Sequence, residues 1–174
     1  TLRIEPLEAG SGLVFESEIT GATLPTEYFG PVEQGFKEAA QSGVVAGHPV
    51  VDIKAILIDG SHHEVDSSEV AFKIASSMAF KEACQKASPF ILEPVMLMEV
   101  VTPEEFLGDV LGDLQSRRAQ VQSMEPQAGL QIVKAHVPLA ETFQYATILR
   151  SNTTGRASFT QELDHYAPAP MKDK

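Results

Sequence analysis

The sequence predicts an α+β chain of two small domains. Short runs with apolar residues at every second position are separated by segments with helical spacing. Near the middle, Ser88-Pro-Phe-Ile-Leu-Glu-Pro94 brackets a brief apolar run between two prolines, as a junction does. The stretch beyond it completes a β-α-β-β-α-β order of its own. A chain of 174 residues, 43% of them apolar, has room for two cores. The domains are placed at 1–90 and 91–174.

In the first domain, Leu2, Ile4 and Pro6 alternate against Arg3 and Glu5, which gives a strand over 2–7. Glu8-Ala-Gly-Ser-Gly12 turns the chain, and a second strand returns over 13–19. Gly21-Ala-Thr-Leu-Pro-Thr26 is a loop. Thr26 is placed to cap a helix over 27–41 with Tyr28, Val32, Phe36 and Ala39 on one stripe, and Gly43 stands where a helix-ending glycine belongs. Residues 50–58 alternate and are rich in β-branched side chains, hence a third strand. A helix over 67–86 follows the charged turn Gly60-Ser-His-His-Glu-Val-Asp66. Asp66 is placed as its cap, with Glu69 reaching back three residues later. Lys73, Ser77, Lys81 and Gln85 make a narrow polar stripe, while Val70, Phe72, Ile74, Ala75, Met78 and Ala79 cover most of the rest. Burial on nearly all sides is expected, making the helix a rigid base for the turn.

The second domain opens with a strand over 95–101. Thr102-Pro-Glu-Glu105 reads as a capping box with proline at the first helical position. The helix runs to about 118 with Phe106, Leu107, Val110, Leu111 and Leu114 on its apolar face. Strands over 119–124 and 130–137 flank a turn at 125–129. A helix over 138–151 is expected to bury Phe143, Ala146 and Leu149, and a last strand covers 157–166. The tail 167–174, Ala-Pro-Ala-Pro-Met-Lys-Asp-Lys, reads as disordered.

A net charge of −11, with acidic residues in excess in both halves, argues against an autonomous nucleic-acid binder. Any RNA contact must be local, with affinity supplied by a larger assembly. No apolar run approaches the ~20 residues of a membrane span, and no targeting segment is visible. Cys84, the one cysteine, excludes a disulfide framework and reads as a small core residue of a cytoplasmic protein. No Gly-x-x-x-x-Gly-Lys-Ser/Thr phosphate loop is present. His62, Glu64 and Asp66 point one way if their segment is extended and can then hold zinc or iron; the competing readings are a solvated turn and a cap at Asp66. Arg117 and Arg118 end a helix, where cations offset the macrodipole without binding anything. Arg150 and Arg156 flank the turn at 151–155 and are expected to be exposed.

Gly60-Ser-His-His-Glu-Val-Asp-Ser-Ser68, followed by Ala71-Phe-Lys-Ile-Ala and Ala79-Phe-Lys-Glu82, resembles the tip loop and helix of the fourth domain of elongation factor G, a translational GTPase. Glu93-Pro-Val-Met-Leu-Met-Glu-Val-Val-Thr-Pro-Glu104, Gly108-Asp-Val-Leu-Gly-Asp-Leu-Gln-Ser-Arg-Arg118, Phe143-Gln-Tyr-Ala-Thr-Ile-Leu-Arg-Ser151 and Gly155-Arg-Ala-Ser-Phe159 resemble its fifth. The resemblance covers residues 2–166. Departures are Ala22 and Ala119, where the family has glycine, and His62, where it commonly has tyrosine.

The resemblance implies a ribosomal protein S5 domain 2-like unit lacking its N-terminal strand, then a ferredoxin-like unit. It further implies a C-terminal fragment of a ribosomal translocase whose GTPase engine lies elsewhere. The fragment itself is expected to be no enzyme, to act as a monomer without membrane contact, and to bind neither GTP nor a metal tightly; GTP and magnesium belong to the missing N-terminal domain of the parent. The implied partner is the ribosome: rRNA, and tRNA–mRNA in the A site. Gly21, Thr23, Pro25, His62, His63, Glu64 and Asp66 are the residues implied at the tip, which enters the small-subunit decoding site. Arg117, Arg118, Arg150 and Arg156 are those implied against large-subunit RNA near the GTPase-associated region. The rival readings are a ribosome recycling or ribosome-protection paralogue, and more remotely a metal-dependent enzyme at His62, Glu64 and Asp66.

Overall fold

A central strand with one neighbour of each orientation organises the N-terminal part of the chain. In the computed structural model, which describes residues 1–171, that part comprises β1 (Leu2–Pro6), β2 (Leu13–Ser17), α1 (Phe29–Ser42), β3 (Ile53–Leu57) and α2 (Glu69–Lys86). The sheet order is β1-β3-β2, with β3 antiparallel to β1 and parallel to β2. The β2-α1-β3 crossover supplies Phe36, Ala39 and Ala40 to a core completed by Ala55, Phe80 and Cys84. A smaller cluster of Leu24, Val32 and Leu57 lies beside the loops. The two helices cross closely. A Cβ on Gly35 would meet the Lys73 carbonyl oxygen at 2.2 Å, and the Ser76 hydroxyl donates to the Val32 carbonyl at 2.6 Å.

Gly43 ends α1 where expected, at φ 74° and ψ 171°, a backbone conformation that suits glycine. Thr26 caps nothing; it opens a 3-10 turn, Thr26–Tyr28, that leads into α1. The cap of α2 is Ser68 rather than Asp66: its hydroxyl accepts from the Ala71 N–H at 3.1 Å. Nor is α2 enclosed. Ser76, Phe80 and Cys84 are buried, but Val70, Ile74 and Met78 remain 65%, 54% and 66% exposed. A three-stranded sheet and one neighbouring helix cover a single side of it, and Lys73 reaches across to Glu38 of α1 at 2.8 Å.

Beyond Ile91 a second unit begins. It contains β4 (Leu92–Pro103), α3 (Leu107–Ser116), β5 (Gln120–Gln127), β6 (Leu130–Pro138), α4 (Tyr145–Asn152) and β7 (Ser158–Pro168). All pairings are antiparallel and the order is β5-β6-β4-β7, the ferredoxin-like arrangement. Ala128 and Gly129, both at positive φ (51° and 82°), make the two-residue turn of the β5–β6 hairpin. The core is one cluster: Met98, Val100, Val110, Leu114, Val133, Ala135, Val137, Tyr145 and Leu149.

Three local expectations fail here. The capping box at Thr102 does not form; Thr102 is fully buried with its hydroxyl on the Pro103 carbonyl, and a 3-10 turn, Glu104–Phe106, precedes α3. Phe143 is 70% exposed and Tyr145 takes its place in the core, because Gln144 at φ 61° delays the start of α4. Ala167 and Pro168 are ordered in β7 opposite Glu93 and Leu92, so the strand claims part of the supposed tail; residues 172–174 lie outside the described residues.

Candidate functional site

Two loops of the first unit meet where the Leu24 side chain packs closely against Gly60. Leu24 is 3% exposed, anchored between Val32 and Leu57, and its Cδ2 lies 3.0 Å from where a Cβ on Gly60 would stand. The loop around Gly21, Thr23 and Pro25 is thereby held against the one bearing His62 to Asp66. Gly21 itself turns at φ 84°.

The charged loop is shaped by backbone and hydroxyl groups. The His63 N–H donates to Ser67 Oγ at 2.8 Å, and the Ser67 and Asp66 N–H groups return to the His63 carbonyl at 3.0 and 3.3 Å. His62 is half-buried, its ring 6.4 Å from that of Tyr28, which stacks on Phe72 of α2 at 4.3 Å. His63, Glu64, Val65 and Asp66 project into solvent. Among the described residues, none of His62, His63, Glu64 and Asp66 has an ion-pair partner. The His63 imidazole and the Glu64 and Asp66 carboxylates therefore stand open to an incoming surface, while His62 is partly covered beside Tyr28. The folded-back turn removes the extended geometry that a ligand set at His62, Glu64 and Asp66 requires, and those three do not gather around a common point.

The four candidate arginines of the second unit divide sharply. Arg117, 13% exposed, donates through Nε to Asp113 at 2.8 Å and through Nη1 to the carbonyls of Glu141 and Phe143 at 2.6 and 3.1 Å. Its guanidinium lies 5.1 Å from the Tyr145 ring centroid. Burial pushes the Tyr145 phenol up, so it stays protonated, and its oxygen has no hydrogen-bond partner. Arg118 grips both oxygens of Glu93, at 2.9 and 3.1 Å, and bonds Glu141 at 3.2 Å; these bonds hold its guanidinium above the usual arginine range. Arg156 pairs with Glu105 and lies over the Phe106 ring. Arg150 is exposed on the last turn of α4, the one arginine of the four without an ion pair among the described residues.

Sequence reasoning missed His136, Asp164 and His165, which come together on the sheet of the second unit. The one local signal was the adjacent Asp-His pair interrupting the strand alternation after Leu163. No helix of the described residues is long and apolar enough to cross a membrane.

Comparison with known families gives two matches: Elongation factor G, domain IV, over residues 1–88, and Elongation factor G C-terminus over residues 90–174. A crystal structure of a protein from Thermus thermophilus matches with a TM-score of 0.85 and 47% identity, covering 97% of this chain and 25% of that one. The chain thus spans about a quarter of the length of that relative.

Proposed function

Because the chain belongs to the elongation factor G family, as the matches to its domain IV and C-terminus show, we propose that it is the distal arm of a longer ribosomal translocase. The tip formed by Gly21, Thr23, Pro25, His62, His63, Glu64 and Asp66 enters the small-subunit decoding site and holds tRNA and mRNA in the advanced position. The second unit docks near the large-subunit GTPase-associated RNA, with Arg150 as its most available phosphate partner. GTP and magnesium act in another part of the same cytoplasmic, monomeric protein. This arm works by shape and electrostatics, with no bond chemistry.

The observation that supports the reading is the Gly60–Leu24 contact, which brings the two loops together while His63 stays exposed. An imidazole there can stack on a base or hydrogen-bond a phosphate or 2′-OH. Acidic neighbours and a net charge of −11 keep isolated binding weak and salt-sensitive, as suits an arm delivered by a larger machine.

The test is His63→Ala in the full-length protein. Single-turnover translocation should slow while ribosome-stimulated GTP hydrolysis stays near the parent rate. Equal translocation rates would remove the tip role. Equilibrium dialysis of the chain alone with labelled GTP and magnesium should show no stoichiometric binding; micromolar binding would overturn the division of labour.

A further inference from the structure

We propose that His136, Asp164 and His165 form a site for one divalent transition-metal ion of the zinc class on the sheet of the second unit. The site owes nothing to the tip loops, so it stands apart from the translational reading.

Its geometry arises from an irregularity in the ladder. His136 of β6 lies opposite Leu97 of the central strand β4, and His165 of β7 lies opposite Val95. The β4–β7 register then shifts: Val95 faces His165 and Met96 faces Leu163, which leaves Asp164 without a partner. A β-bulge of this kind re-aims side chains and breaks the strict alternation of faces. Here it turns two consecutive residues toward His136. Asp164 Oδ2 lies 3.3 Å from His136 Nε2 and 2.6 Å from His165 Nδ1. The imidazoles stand edge to face, ring centroids 5.1 Å apart. One ligand atom from each residue falls within 4.8 Å of the others.

Zinc binds imidazole nitrogen and carboxylate oxygen at roughly 2.0–2.2 Å, which puts tetrahedral ligand atoms about 3.3 Å apart. The His136–Asp164 separation already has that value. The Asp164–His165 hydrogen bond must open by less than about 1 Å as the ion replaces the shared proton, and the two imidazoles, whose ligand atoms lie within 4.8 Å of each other, must draw together onto the ion. Two imidazoles and one carboxylate suit zinc, cobalt, nickel or copper better than calcium or magnesium, which favour all-oxygen sets. Asp164 supplies the local negative charge, and the acidic chain as a whole favours a cation. The fourth position is left to water. Because β7 is an edge strand, an ion here would staple its C-terminal end to β6 across β4.

Titration of the purified 174-residue chain, free of any tag, with Co²⁺ tests this. One equivalent should produce the visible absorption of low-coordinate cobalt, and Zn²⁺ should abolish it. Of the five histidines, His136 and His165 should show the ring NMR shifts; His48, His62 and His63 should not. His136→Gln and Asp164→Asn, with folding verified by far-UV circular dichroism, should each weaken binding at least about tenfold. His62→Gln should leave it unchanged. The proposal is overturned if cobalt gives no absorption in excess, if it perturbs His62 or His63 instead, or if the signal survives both site substitutions. Should a variant fail to fold, the ring shifts of the unsubstituted chain decide alone.

Discussion

The charged residues of the 60–68 loop and those around α3 are the same chemical types in opposite circumstances. In the first unit, backbone and serine groups shape the charged loop, and its imidazoles and carboxylates stand free of ion pairs. In the second, Asp113, Glu93, Glu141 and Glu105 occupy Arg117, Arg118 and Arg156. Residue type alone therefore does not distinguish a binding group from a structural one. What distinguishes them is whether the fold has already provided a partner.

The largest break in that contrast should come from Arg117→Met. It strands a nearly buried Asp113 and two carbonyls, and should cost about 2–4 kcal/mol in urea unfolding of the second unit. A loss below about 1 kcal/mol would mean that solvent already screens the pair. Next come two changes of similar size. Ser68→Ala should cost about 1 kcal/mol by removing the α2 cap, while Asp66→Ala should cost almost nothing. The reverse ranking would restore Asp66 as the cap. Arg118→Ala should also cost about 1 kcal/mol, since its bidentate pair is ordered but 40% exposed on the arginine side. A double-mutant cycle with Glu93→Gln isolates that coupling. Smallest of all, His63→Ala and Glu64→Gln should leave stability within about 0.5 kcal/mol. A larger shift would mean that the 60–68 loop helps to hold the fold.

Element order was legible because alternation and helical spacing are local properties. The β-β-α-β-α and β-α-β-β-α-β successions follow from residues that each strand and helix carries itself. Caps were not. Asp66, Ser67 and Ser68 are consecutive residues of nearly equal capping ability, and only the extended backbone of Ser68, φ −146° and ψ 161°, selects one. At Thr102 the hydroxyl points into the core, a tertiary fact invisible in a Thr-Pro-Glu-Glu string. Burial around α2 was overread, since periodicity reveals which residues share a face but not how many faces have neighbours. The loops at 21–26 and 60–68 were singled out through their resemblance to a known family, whereas the Gly60–Leu24 contact between them was not legible. The His136, Asp164 and His165 cluster was out of reach: its members sit on strands separated by β4, and a one-residue bulge aligns them.

Cys84 gives the first unit a built-in clock. It is the sole thiol of the chain, 3% exposed on the buried face of α2, and burial pushes its pKa up. A thiol-specific reagent cannot reach the sulfur until α2 lifts from the sheet, so the labelling rate reports that opening and is silent about the ferredoxin-like half. A raised folded pKa makes this contribution to stability complete below the ordinary thiol pKa and progressively lost above it, because the unfolded chain then releases the proton first. Labelling should accordingly accelerate in alkali by more than the reagent's own chemistry explains. Comparing the protected rate with that of a denatured chain converts directly into a local free energy of opening.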